Sequence, residues 1–131
     1  MRATPPPQPR SVVAIVRAVS RQACAASHAA DHADRWAIEI TRLAEEYPAA
    51  GLGVIVPVAL RAAELAERCA ILAAGARRQA LDLAEDQGDF TRSEWVSRLR
   101  EHLRVAWRAA RSAEEAAVEA ASAVRSVSPA A

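Results

Sequence analysis

Apolar residues recur along most of this chain at alternating steps of three and four, the spacing of one face of an α-helix. The clearest row follows Thr91 and Glu94, which have the spacing of a helix capping box. Its members are Val96, Leu99, Leu103, Ala106, Ala110, Ala113, Ala117, Ala120, Val124 and Val127. The pattern predicts a long amphipathic helix from Thr91 to Val127 with a coiled-coil-like seam.

Two further rows predict two more long helices. The first helix is expected from Ser11, a suitable N-cap, to Tyr47, because Pro48 ends a helix at the residue before it. Its row is Val12, Val16, Val19, Ala23, Ala26, Ala30, Ala33, Ala37, Ile40, Ala44 and Tyr47. The second helix is expected from Val58 to Gln87, with Gly88 placed to stop it. Its stripe is Val58, Ala62, Leu65, Cys69, Leu72, Ala76 and Leu83, widened by Ala59, Ala66, Ala73 and Ala80.

These rows predict an all-α fold, an up-down-up bundle of three long amphipathic helices, since short connections make consecutive helices antiparallel. A break at Gly75 would split the second helix and give four. Residues 11–127 form the predicted bundle domain, residues 1–10 a Pro-rich disordered tail, and residues 128–131 a frayed C-terminus. The connection from Pro48 to Pro57 is apolar, so we expect it to be tucked over the core or covered by another subunit.

The composition limits how much apolar surface this bundle can bury within one chain. Apolar residues make up 52% of the chain but aromatic residues only 4%, and about a quarter of all residues are alanine. Alanine forms helices well and buries little area, so the core of such a bundle is narrow. We therefore predict a non-enzymatic interaction or assembly protein, either a homo-oligomer or a small subunit of a larger complex. The candidate interface residues are Leu52, Val54, Ile55, Trp95 and Trp107.

Arginine is the only strong base in the chain. There is no lysine, all 17 strongly basic residues are arginine, and the net charge of +1 argues against a global attraction to nucleic acid or anionic lipid. Antiparallel packing is expected to gather a belt of arginines, with Trp95 and Trp107 close by. The belt consists of Arg77, Arg78, Arg98, Arg100, Arg104, Arg108 and Arg111.

Three interpretations of this belt remain open. In the first interpretation, the arginines bind phosphates and the nearby aromatic rings stack on bases. The protein would then be a nucleic-acid-associated subunit. The arginines can instead pair with Asp31, Asp34, Asp82 and Glu101 and form a solvated face. In the third interpretation, the basic half of one bundle meets the acidic half of another.

A third function hypothesis is a metal-binding bundle. Cys24, His28 and His32 share one stripe of the first helix, and Cys69 reaches a similar level from the second, so these side chains can in principle share zinc or copper. We favour the alternative in which Cys69 is a small core residue and the histidines are solvated, and we expect neither a metal nor a cofactor.

The sequence contains no catalytic signature. We find no Ser/His/Asp arrangement, Gly-rich phosphate loop or dinucleotide-binding fingerprint, so no enzymatic activity is predicted. No stretch is long and uncharged enough to span a membrane, and the short apolar run after residue 11 does not resemble a signal peptide. Two cysteines fit a reducing compartment, which predicts a cytoplasmic protein.

Overall fold

The computed structural model describes residues 11–127 and confirms the all-α bundle. Helix α1 spans Val12–Glu46, α2 spans Val56–Glu85 and α3 spans Arg92–Val127. Each helix packs against both of the others, and two single 3-10 turns, Pro48–Ala50 and Leu52–Val54, connect α1 to α2. The predictions for residues 1–10 and 128–131 lie outside the described residues.

The helix ends follow local capping chemistry. The Ser11 side chain accepts a hydrogen bond from the Ala14 amide at 3.0 Å, which confirms it as the N-cap of α1. Thr91 Oγ1 accepts one from the Glu94 amide at 3.2 Å at the start of α3. Gly88 has φ +59° in the turn between α2 and α3, a conformation that favours glycine. Helix α2 is continuous through Gly75, so residues 11–127 form three long helices and not four.

The core face of α2 consists almost entirely of alanine: Ala59, Ala62, Ala66, Cys69, Ala73, Ala76 and Ala80 are buried. The prediction that Val58, Leu65 and Leu72 belong to this core was wrong, because their side chains are 37%, 46% and 59% exposed. Helix α2 packs against both other helices along its length, and small side chains let helix axes approach closely. The larger side chains are therefore displaced to the flanks of α2.

The buried face of α1 is wider than the predicted row, of which Val19, Ala26, Ala33, Ala37 and Ile40 are buried. Ile15 is fully buried and Ala18 and Ala29 are buried, although none of them belongs to that row, whereas Tyr47 at its end is 55% exposed. Helix α1 packs against two helices, so its buried face is wider than a single seam. The row predicted on α3 agrees better with the structure, since it is buried at Leu99 and Leu103 and at five further positions: Ala106, Ala110, Ala113, Ala120 and Val124.

The apolar connection is tucked over the end of the core. Leu52 is only 8% exposed and belongs to a small cluster with Ile40 and Val124, against which Ile55 also packs. Val54 points away from this cluster and is 78% exposed. The bundle therefore closes its own end with Leu52 and leaves Val54 at the surface.

Candidate protein-interaction surface

A shallow groove runs between α1 and α2. It consists of two adjoining depressions of about 380 and 390 Å³ that share Asp34 in their linings. The walls of the first depression include five alanines, namely Ala23, Ala30, Ala63, Ala70 and Ala74. Because an alanine side chain is a single methyl group, the two helices do not fill the space between them on the outer side. We call this feature the α1/α2 groove.

Large apolar side chains line the α1/α2 groove without being buried. Ile71 lies in the first depression, Ile38 and Leu60 lie in the second, and their side chains are 65%, 62% and 46% exposed. Single exposed apolar residues are normal on a protein surface, but apolar residues that line both depressions of one groove are typical of a contact site. This set makes the groove the strongest candidate for a protein-interaction surface on the bundle.

Charged residues are distributed unevenly along this face. Asp31, Asp34 and Glu67 line the first depression. Toward the N-terminal end of α1, Arg77 of α2 reaches across to α1, where its Nε donates a hydrogen bond to Ser20 Oγ at 3.1 Å, and Arg78 is exposed next to it. The face is thus basic near the start of α1 and acidic further along that helix.

The structure separates the predicted arginine belt into distinct groups. Arg77 lies across the α1/α2 groove, whereas Arg98 lies over the Phe90 ring, 4.4 Å from its centroid, near the turn between α2 and α3. Arg78 follows Arg77 on α2, and the other four members, at roughly one-turn spacing, share one side of α3 and form what we call the α3 stripe. Its members are Arg100, Arg104, Arg108 and Arg111.

The members of the α3 stripe differ in their surroundings. Arg111 forms an ion pair with Glu114 at 3.6 Å and lies 5.4 Å from the centroid of the Trp107 ring. Arg104 and Arg108 are exposed, and within residues 11–127 no carboxylate oxygen lies within 4.0 Å of either guanidinium. These two arginines therefore offer accessible positive charge on α3.

The candidate interface residues from the sequence are mostly engaged inside the bundle. Trp95 is half-buried, and its Nε1 donates a hydrogen bond to the Leu83 carbonyl at 2.6 Å, which ties α3 to α2. Trp107 is half-buried beside Arg111, while Leu52 and Ile55 pack on the core as described above. Only Val54 of the five is freely exposed.

Sequence reasoning missed the apolar residues of the α1/α2 groove. On α2, Leu60 and Ile71 belong to a second row of positions spaced by four and three, separate from the predicted stripe. A search for more than one row on each helix would have found these residues. Ile38 belongs to an equivalent row on α1. Both rows mix apolar with charged residues, so neither is a strong apolar signal in the sequence alone.

The cysteine and histidine residues do not assemble into a metal centre. Cys24 is exposed on α1, Cys69 is buried in the core, and His28 and His32 are exposed. In the part of the chain that the structure describes, no group of three or more His, Cys, Asp and Glu side chains is arranged to hold a metal ion. Burial raises the pKa of the Cys69 thiol, which keeps it protonated.

Comparisons with known proteins assign no relative to this chain. No protein-family model matches it, and neither a curated protein nor a solved structure is significantly similar to it. None of the helices within residues 11–127 combines the length and the apolar character needed to cross a bilayer. The surface of the bundle is therefore the basis for proposing a function.

Proposed function

We propose that this chain is a non-enzymatic assembly protein that associates with itself through the α1/α2 groove. The observation that supports this proposal is the set of exposed apolar side chains, Ile38, Leu60 and Ile71, along an alanine-lined groove. Complete burial of such a side chain contributes about 1.5–3 kcal/mol, and roughly half of that gain is still unrealised in the isolated bundle. A second protein surface on the groove would realise it.

The mass of the protein in solution tests this proposal. Size-exclusion chromatography with light scattering should give a multiple of the 14.0 kDa chain mass. The mass should fall toward that of one chain on dilution, because the association is reversible. A mass of one chain at every concentration up to about 100 µM would contradict self-association of useful affinity.

A pair of neighbouring substitutions locates the contact surface. Ile71 and Leu72 are 65% and 59% exposed, but they lie about 100° apart around α2, so only Ile71 faces the α1/α2 groove. We expect Ile71→Asp to reduce the measured mass to that of one chain and Leu72→Asp to leave it unchanged. The reverse result would place the contact on the opposite flank of α2 and contradict the use of this groove.

The proposed compartment is the cytoplasm. The exposed thiol of Cys24 supports this assignment, because a reducing compartment keeps such a thiol free. Localisation of a tagged full-length chain by fractionation and microscopy tests it, and recovery outside the reducing compartments would contradict it.

The α3 stripe supports a second candidate function, the binding of nucleic acid. The supporting observation is that Arg104 and Arg108 are exposed and that, in the described residues, neither has a carboxylate oxygen within 4.0 Å. Binding of a labelled single-stranded oligonucleotide should then weaken steeply with salt and be lost in the Arg104→Glu/Arg108→Glu variant. Arg61→Glu/Arg68→Glu, which makes the same charge change at exposed sites on α2, is the matched control and should leave binding unchanged. Binding that is unchanged in the α3 double variant would exclude this stripe as the site.

A further inference from the structure

The outer face of the α1/α2 pair carries one heptad-spaced row of residues on each helix. The residues on α2 are all exposed: Leu60, Glu64, Glu67, Ile71, Ala74 and Arg78. The residues on α1 are exposed or half-buried: Val13, Arg17, Ser20, Cys24, Ser27, Asp31, Asp34 and Ile38. Steps of four and three are the spacing with which one helix packs against another at a shallow angle. Each row therefore marks the strip of its helix that a second helix could contact.

Both rows show the same order of charge along the bundle, basic near the start of α1 and acidic further along that helix. Helices α1 and α2 are antiparallel, and the Arg77–Ser20 hydrogen bond places the end of α2 beside the start of α1. Arg78 on α2 and Arg17 on α1 therefore share the basic end of the face. The acidic residues Glu64, Glu67, Asp31 and Asp34 lie beyond Ile71 and Ser27, which are neighbours in the first depression of the groove.

We propose that the partner in this groove is a second copy of the same chain, docked antiparallel about a two-fold axis at the level of Ile71 and Ser27. This inference rests on the proposed self-association and specifies its geometry. The axis is parallel to the outer face and perpendicular to the helix axes. Helix α2 therefore packs on α2 of the other copy, and α1 packs on α1 of the other copy. Residues at equal distances on either side of the axis then face each other.

This axis brings opposite charges together. On α2, Arg78 and Glu64 lie seven residues on either side of Ile71, so each Arg78 faces Glu64 of the other copy. On α1, Ser20 and Asp34 lie seven residues on either side of Ser27. Arg77, which is hydrogen-bonded to Ser20, therefore approaches Asp34 of the other copy. The basic end of each face thus covers the acidic part of the other.

Apolar and small residues lie on and near the axis, whereas Leu60, eleven residues from Ile71, lies opposite Asp82 of the other copy. Ile71 meets Ile71 of the other copy on the axis, and the half-buried Val16 lies opposite Ile38, since each is eleven residues from Ser27. Near the axis, Ser27, Cys24 and Ala74 are small enough to let the facing helices approach closely. A two-fold axis along the helices would instead place α2 against α1 of the other copy at the same level. Arg78 would then lie near Arg17 and Asp34 near Glu64, which is unfavourable because like charges repel.

Charge reversal at Arg78 and Glu64 tests the orientation. We expect Arg78→Glu and Glu64→Arg each to weaken dimerisation about tenfold or more, because two symmetry-related attractions become repulsions. The double variant should dimerise like the original chain, because the pair is restored with exchanged signs. A mixture of the two single variants should form heterodimers for the same reason.

Matched controls separate this effect from a general change in charge. Arg61→Glu on α2 and Glu115→Arg on α3 make the same changes at exposed positions off the face and should leave the dimerisation constant unchanged. Circular dichroism of every variant confirms that the helices remain formed. The dissociation constants come from sedimentation equilibrium or from dilution series with light scattering.

The possible outcomes distinguish this inference from the proposal on which it rests. An original chain that stays monomeric overturns the self-association itself. An original chain that dimerises while both single variants behave like their controls leaves self-association standing and overturns the antiparallel docking. Weakening by both single variants that neither the double variant nor the mixture restores also overturns the pairing of Arg78 with Glu64.

Discussion

Ile38 and Ile40 are two positions apart on α1, yet Ile40 is fully buried and Ile38 lies exposed in the α1/α2 groove. Successive residues differ by about 100° around a helix, so two positions suffice to move a side chain from the core to the surface. Residue type therefore does not decide the role of an isoleucine in this bundle. The position of each isoleucine relative to the neighbouring helices decides whether it is buried or exposed.

This pair gives a stability prediction at the residue scale. Ile40→Ala should lower the free energy of unfolding by about 2–5 kcal/mol, because it removes buried apolar contacts and leaves a cavity. Ile38→Ala should lower it by less than about 1 kcal/mol in dilute protein, where association does not contribute. Urea denaturation followed by circular dichroism measures both, and equal losses would contradict the burial of Ile40.

His102 gives a prediction for the pH dependence of stability. Desolvation by burial lowers the pKa of this α3 residue from its ordinary value of 6.5, with the positive charge of Arg98 acting in the same direction and Glu101 opposing it. As the pH falls below 6.5, the unfolded chain takes up the proton first, so the contribution of His102 to stability is present above that pH and is lost below it.

Urea unfolding at pH 7.5 and at pH 5 measures this contribution. His102→Gln should reduce the loss of stability on acidification, because the proton can no longer bind at that position. His28→Gln on the exposed side of α1 should leave the loss as it is. The same loss in both variants would contradict the role of His102.

At the scale of the element, α2 shows most clearly that close helix packing in this fold limits the size of the buried side chains. Its buried face is alanine and cysteine, Leu65 and Leu72 lie exposed at its flank, and it contains a glycine in its interior. A methyl group added at Gly75 meets no atom within 4 Å beyond the adjacent residues and backbone of its own helix, so packing does not require glycine there. Gly88, with φ +59° in the turn that follows, is required by the backbone instead.

These two glycines therefore predict effects of opposite sign. Gly75→Ala should raise the free energy of unfolding by about 0.5–1 kcal/mol, because alanine is the better helix former. Gly88→Ala should lower it by about 1 kcal/mol, because a side chain is strained in the left-handed conformation. Thermal denaturation measures both, and a destabilised Gly75→Ala variant would show that α2 needs flexibility at that position.

At the scale of the whole molecule, the charges along the α1/α2 face predict how salt affects association. If Arg78 and Arg77 face carboxylates of a second copy, raising the salt concentration from about 0.1 M to 1 M should weaken the dimer, because the screening length falls from about 10 Å to about 3 Å. Light scattering at a series of salt concentrations measures this. A dimer that salt strengthens would be held by apolar contacts alone and would contradict the charge pairing.

The amino-acid sequence by itself determined the elements of this protein. Caps at Ser11 and Thr91, Pro48 after the first helix and the three-four spacing of apolar residues act within a few residues of one another. Such interactions need no partner helix, which is why the helices, the connections and the all-α class were predictable. The row on α3 was predictable as well, because Leu99 and Leu103 mark it clearly.

Only the tertiary structure decided which faces point inward. Alanine occupies several rows on α1 and α2, so periodicity alone could not place Leu65 and Leu72 at the flanks or Ile15 in the core. The candidate site was hidden for the same reason, since the α1/α2 groove and the grouping of the arginines depend on how closely the helix axes approach. That distance is set by packing small side chains from all three helices at once, and no single helix contains the information.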